Sequence, residues 1–196
     1  LKNNLNKTFN AITVDGDTST NDMVLIFSTE KDNNKKIINA KSRDFKLFEK
    51  KLKEVMLNLA KQIVIDGEGA TKFIEIYVVG AKNNKYAKQA AFSVANSQLF
   101  KTAIAGEDPN WGRILMAIGK SDSSIDIKKI HLKLGNQFVF KDGNILKSYR
   151  EKKASKYMRG NEIKILINLN LGKSAFKAYT CDLTHKYISI NTDYRN

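Results

Sequence analysis

The sequence predicts an α/β (α+β) protein: a layered helix-and-sheet core, then a smaller α+β part with antiparallel hairpins. Three observations carry that reading. Phe45, Phe48, Leu52, Val55, Met56, Leu59 and Ile63 recur at the spacing of an amphipathic helix. Ile163, Ile165, Ile167, Leu169 and Leu171 alternate strictly, as in a strand with one buried face. Near residues 120–124 the texture shifts from mixed helix and strand to mostly strand, which divides the chain at 1–121 and 122–196.

Taken in order, residues 1–10 read as the end of a helix and Ile12-Thr13-Val14 as a short β-like stretch. Residues 15–22 (DGDTSTND) are dense in side chains that bond neighbouring N–H groups, so a rigid polar corner is expected. Residues 23–29 are expected to form a buried strand or a helix start, and residues 32–36 a polar loop. The amphipathic helix follows, capped by Ser42 or Asp44, with its apolar stripe assigned to the core. Residues 74–80 read as a strand and 86–96 as a helix of small residues. Asp108 as N-cap and Pro109 behind it predict another helix, continued by Ile114, Leu115 and Ile118 and ended by Gly119. Residues 125–134, 138–140, 162–171 and 176–181 read as strands, Asp142-Gly143-Asn144 as a turn, and 148–160 as a Lys-rich surface helix. Gly172-Lys173-Ser174 would fold the strand before it onto the strand after it as a hairpin.

A chain of 196 residues is long enough to bury a real core. No apolar run approaches the ~18–20 residues of a membrane span, and none follows Leu1-Lys2-Asn3-Asn4 as in a signal peptide. A cytoplasmic protein without membrane contact is therefore expected. Asn6-Lys7-Thr8 matches a glycosylation acceptor, read as chance without a secretory signal. Cys181 is the only cysteine, which excludes an internal disulfide and a Cys-based metal cluster. The net charge of +14 invites a nucleic-acid reading. However, 5 of the 34 basic residues are Arg and 20 residues are Asn, while the lysines are scattered in pairs along the chain. That is compositional bias and solvated surface, without the Arg–aromatic interleaving of many nucleic-acid modules. No nucleic-acid partner is expected, and a non-catalytic basic binding module stands as the alternative class.

Several motifs fail. Asp66-Gly67-Glu68-Gly69-Ala70-Thr71-Lys72 places Thr before Lys, against the order of a phosphate loop, and Lys72 occupies the third glycine of a dinucleotide fingerprint. Two histidines, His131 and His185, without ligand spacing make no zinc site, and His131 reads as a packing or surface residue. No Gly-x-Ser-x-Gly elbow is present. Glu68 remains. Flanking glycines let backbone or ligand come close to a carboxylate, and the residues alone leave both a plain turn and a functional acid open.

Four segments in order carry a resemblance: residues 9–22 (FNAITVDGDTSTND), 66–72 (DGEGATK), 94–103 (VANSQLFKTA) and 106–114 (GEDPNWGRI). Together with Cys181-Asp182-Leu183 and residues 187–195, they resemble the β-chain of the bifunctional ornithine acetyltransferase/N-acetylglutamate synthase family. The likeness runs from end to end. It implies the C-terminal part of an N-terminal-nucleophile-type acetyltransferase fold. It also implies an autoprocessed enzyme of arginine biosynthesis, in which a Thr at the head of the β-chain takes acetyl from N2-acetylornithine and passes it to glutamate. A free N-terminal amine would activate that hydroxyl, and a donor hole on the α-chain would hold the oxyanion. The chain opens at Leu1, inside the helix that follows this Thr in the family, so no catalytic residue is expected in it and the fragment is expected to be inactive alone.

The same resemblance implies an α-chain partner in an α2β2 assembly, with N-acetylornithine, glutamate and ornithine as small-molecule substrates. It implies no cofactor and no metal, and leaves acetyl-CoA open as a second donor. Glu68 matches a substrate-contacting Glu and is predicted to orient an amine; Asn191 matches a substrate-binding Asn. Asn196 stands where the family often has Thr or Ser, and its amide still suits a carboxylate. Residues 15–22 become a structural corner beside the nucleophile, and Asn110-Trp111-Gly112-Arg113 either helix-start packing or a chain–chain interface. An aminopeptidase of related fold is the second alternative.

Overall fold

A computed structural model of the chain describes residues 1–31, 35–122 and 124–194. Its elements are α1 (Lys2–Leu5), a 3-10 turn (Phe9–Ala11), α2 (Arg43–Ile65), β1 (Phe73–Ala81), α3 (Asn84–Ala95), α4 (Gln98–Ala105) and α5 (Trp111–Ser121). A second 3-10 turn (Ile127–Lys129) leads to β2 (His131–Leu134), β3 (Gln137–Lys141), β4 (Asn144–Ile145), α6 (Glu151–Met158), β5 (Glu162–Asn168), β6 (Ser174–Cys181) and α7 (His185–Thr192). The strands form a six-stranded sheet of order β4-β3-β2-β5-β1-β6.

β1 is the pivot. It pairs parallel with β5 and antiparallel with β6, so strands from either side of position 121 share one sheet. Ile74, Ile76 and Val78 of β1 and Ile163, Ile165 and Ile167 of β5 are all buried. Each contributes about 1.5–3 kcal/mol relative to exposure. The alternation expected from residue 163 onward is thus the core face of β5, although the strand itself stops at Asn168. α3 packs on β1 and β6, and its buried Ala87, Ala90, Ala91 and Ala95 let it lie close.

The expected hairpin between β5 and β6 is corrected: β1 lies between them. The linking loop crosses the end of β1, where the N–H groups of Leu169 and Leu171 donate to the carbonyls of Val79 and Gly80 at 3.0 and 2.6 Å. The crossing backbone is thereby satisfied without direct pairing of its two strands. The stretch 125–134 is likewise not one strand. The Asp126 side chain accepts from Lys128 N–H at 3.0 Å, which winds a 3-10 turn before β2.

The helix predicted from Asp108 starts two residues later. Asn110 caps α5 by accepting from Arg113 N–H at 3.3 Å, and α5 runs through Gly119 to Ser121. Ser42 caps α2 through Phe45 N–H at 3.1 Å. Only part of the α2 stripe reaches the core: Met56 is buried, while Phe48, Val55, Leu59 and Ile63 are exposed. The core assignment for the whole stripe is therefore corrected. Residues 23–29 are not a buried element either. They lack regular structure, and Met23, Leu25, Ile26 and Phe27 are exposed. Regular structure in short segments comes from packing rather than propensity, and among the described residues nothing covers these side chains. Residues 32–34 of the expected polar loop lie outside the described residues. Among the described residues no helix is long and apolar enough to cross a membrane.

Candidate functional site

The turn carrying Glu68 is shaped by what presses on it. α2 unwinds as Asp66 and Gly67 donate back to the carbonyls of Gln62 and Val64 at 2.9 and 3.2 Å. A Cβ at position 67 would meet Val14 Cγ1 and the Val64 carbonyl at 3.1 Å. Gly69 has φ +67°, and a Cβ there would stand 2.6 Å from the backbone N of Tyr187. The close neighbours that the two glycines admit are the chain's own backbone and side chains. Glu68 is left projecting between them, exposed.

Asp182 latches this turn to the sheet. Its buried carboxylate accepts from the N–H groups of Thr71 and Lys72 at 2.8 and 2.9 Å, and from Thr71 Oγ1 at 2.5 Å. α7 then closes over the turn. Thr184 Oγ1 donates to the Gly69 carbonyl at 2.8 Å, and Tyr187 Oη donates to Asp15 Oδ2 at 2.9 Å. Asn191 Nδ2 donates to Glu68 Oε2 at 2.5 Å and to the Tyr187 carbonyl at 2.9 Å. Two of the three candidate residues read from the sequence, Glu68 and Asn191, therefore touch across 123 residues of chain. The third, Asn196, lies outside the described residues. An exposed carboxylate attracts an ammonium, and the amide beside it, whose NH2 is spent on Glu68 and the Tyr187 carbonyl, presents its oxygen as an acceptor for a second polar group.

Residues 15–22 form the tight turns expected of them. Asp15 Oδ1 accepts from Asp17 N–H at 2.9 Å, and Ser19 Oγ from Asp22 N–H at 3.2 Å. Thr13 Oγ1 takes Gly16 N–H at 3.1 Å and donates to Asn96 Oδ1 at 2.9 Å, which ties the corner to the end of α3. Beneath it lies Lys101, buried on α4. Its Nζ donates to the Val14 carbonyl and, at 3.2 Å, to Thr180 Oγ1, and it faces Cys181 Sγ at 3.9 Å. Arg113 links α5 to α4 by donating to the Leu99 carbonyl at 2.6 Å, and Trp111 stacks on Phe140 at 6.0 Å. Helix-start packing accounts for these contacts of residues 110–113.

The electrostatics follow from burial. Desolvation pushes the Lys101 ammonium below the ordinary amine range, partly offset by Cys181, Asp15 and Asp182. Burial raises the Cys181 thiol. The Tyr187 phenol is pushed up to about 12, by burial first and then by the hydrogen bond and negative charge of Asp15, with Glu68 and Asp17 adding to it. Among the described residues no group of three His, Cys, Asp or Glu side chains converges to hold a metal. The sequence reading missed Asp182, Tyr187 and Lys101 as site supports. Lys101 had a signal, being flanked by Phe100, Ala103 and Ile104, all buried on α4. Asp182 and Tyr187 had none, since their partners are 111 and 172 residues away.

The segments singled out in the sequence are linked to one another by these contacts. A family model described as the ArgJ family matches residues 1–196. The chain belongs to the ArgJ family. The arginine biosynthesis bifunctional protein ArgJ of Ruegeria pomeroyi is 49% identical over 97% of this chain and 45% of its own length. The protein of the same name from Gluconobacter oxydans is 44% identical over 97% of this chain, again 45% of its own. The chain therefore spans about half the length of these curated ArgJ relatives. The crystal structure of arginine biosynthesis bifunctional protein ArgJ from Bacillus halodurans matches with a TM-score of 0.93 at 41% identity, covering 98% of this chain and 90% of that one. The α/β (α+β) class expected from the sequence is thus shared with a solved ArgJ-family structure.

Proposed function

We propose that this chain supplies the substrate-binding part of an acetyltransferase that moves acetyl from N2-acetylornithine to glutamate. Glu68 takes the free ammonium of the ornithine moiety, and Asn191, held on Glu68, takes a second polar group of the amino acid. The observation that carries the reading is the Glu68–Asn191 contact in an ArgJ-family chain. In the proposed reaction a threonine hydroxyl attacks the acetyl carbonyl and the C–N bond breaks. Ornithine leaves with the proton, and the acetyl group rests on oxygen. The glutamate amine then attacks that ester, the C–O bond breaks, and the hydroxyl regains its proton. No residue of 1–196 is assigned as this nucleophile.

Asn196 is proposed as a further contact to the substrate carboxylate. The enzyme is proposed to work in the cytoplasm as two chains paired in an α2β2 assembly, without cofactor or metal. The two-chain arrangement is supported by lengths: this chain covers 45% of the curated relatives but 90% of the solved Bacillus halodurans chain. Incubating the full-length enzyme with N-acetylornithine and glutamate tests the reading. N-acetylglutamate and ornithine forming in equal amounts is the expected result; neither product above blank would overturn it. Acetyl-CoA with glutamate, run in parallel, tests the second donor.

A further inference from the structure

α7 buries none of its eight residues. A helix this short is marginal in water unless packing holds it, and the apolar anchorage of α7 is thin, with Tyr187 and Ile190 only half-buried. Three hydrogen bonds fix it over the Glu68 turn: Thr184 on the Gly69 carbonyl, Tyr187 on Asp15, and Asn191 on Glu68. The first fixes only the start of the helix. The last is the contact that a substrate must find ready. Tyr187 lies between them and reaches away from the turn to a different part of the chain. Its partner Asp15 is itself fixed, because Lys101 holds the Val14 carbonyl from below and Thr13 is tied to Asn96. The Tyr187 carbonyl receives the second bond of the Asn191 amide at 2.9 Å.

We propose that Tyr187 is a positioning residue for substrate recognition: its phenol, anchored on Asp15, sets the pose of α7 that stands the Asn191 amide on Glu68. This inference rests on the proposed role of Glu68 and Asn191 as substrate contacts. Tyr187 touches no reacting atom. Losing the anchor loosens substrate binding while the chemistry, carried by groups elsewhere, proceeds at its former rate once substrate is seated. Asp15→Asn keeps the tie, because its amide oxygen still accepts from Asp17 N–H while its NH2 donates to the phenol oxygen.

The test uses the full-length enzyme and steady-state kinetics with N-acetylornithine. Tyr187→Phe removes one oxygen and should raise KM about tenfold, as for one charge-assisted hydrogen bond, with kcat nearly unchanged. Asp15→Ala should do the same, Asp15→Asn should stay near wild type, and Tyr187→Phe with Asp15→Ala should be no worse than either alone. A fall in kcat at constant KM, or additive effects in the double variant, would overturn the proposal. If Tyr187→Phe fails to fold, Asp15→Ala against Asp15→Asn decides. Glu68→Gln separates the two levels of the argument. If it raises KM while Tyr187→Phe is silent, only the anchor fails; if Glu68→Gln is itself silent, the site and the anchor fail together.

Discussion

Removing the Asp182 carboxylate should loosen the Glu68 turn more than any change at Glu68 itself. The carboxylate is 3% exposed and accepts three hydrogen bonds, two from backbone N–H groups and one from Thr71 Oγ1. In Asp182→Ala the N–H of buried Lys72 loses its partner with no water at hand, while that of exposed Thr71 is rehydrated. One orphaned buried donor costs about 1–3 kcal/mol, and loss of charge-assisted bonds adds to it. The total is about 2–4 kcal/mol, a large share of the ~5–15 kcal/mol that holds a typical domain together. For a domain near 200 residues this corresponds to a melting temperature lower by about 6–12 °C. Asp182→Asn should cost only about 1 kcal/mol, because its carbonyl oxygen still serves both N–H groups and its amide can donate to Thr71 Oγ1. Thermal unfolding of the two variants beside wild type, followed by circular dichroism, reads the difference. Equal melting of Asp182→Ala and Asp182→Asn would refute the reasoning, since only the alanine leaves Lys72 N–H unpaired.

Gly69→Ala should destabilise the turn and weaken substrate binding together. A left-handed alanine costs about 1–2 kcal/mol, and its Cβ would also push on the Tyr187 backbone from 2.6 Å. A variant with wild-type melting and wild-type KM would contradict this. Alkaline stability should depend on tyrosine. The phenols of Tyr179 and Tyr187 are both pushed up to about 12 in the folded chain from 10.0, Tyr179 by burial first and then by Glu75. Between these values the unfolded chain has lost protons that the folded chain keeps, so their contribution is complete below pH 10 and is lost as pH rises toward 12. Tyr187→Phe should flatten the decline of melting temperature over that window, and an unchanged slope would count against the Asp15–Tyr187 bond.

Local signals in the sequence were legible where one face alone is buried or where glycine is required. The Ile163-to-Ile167 alternation is the core face of β5, and the two glycines beside Glu68 mark a turn with no room for side chains. Strand order was not legible. Gly172-Lys173-Ser174 looks like a hairpin turn, but β1, about 90 residues earlier, takes the position between β5 and β6. Asp108 and Asn110 are both good caps, and the choice between them rests on which side chain reaches an open N–H. The apolar residues at 23–29 and on the outer face of α2 read as core because the sequence marks them as apolar without saying what lies opposite. At the site, Glu68 and Asn191 were found by family resemblance. Their supports, Asp182, Tyr187 and Lys101, act through partners too distant in sequence for any local pattern to reveal.

The most direct test of the proposed Glu68–Asn191 recognition site is the KM of full-length Glu68→Gln for N-acetylornithine. Glutamine keeps the size and the contact to Asn191 but removes the charge proposed to meet the substrate ammonium. KM should rise by about tenfold or more, the worth of one charge-assisted hydrogen bond, with the melting temperature unchanged because Glu68 is exposed. Wild-type KM in a correctly folded variant would contradict the assignment and remove Glu68 from the substrate site.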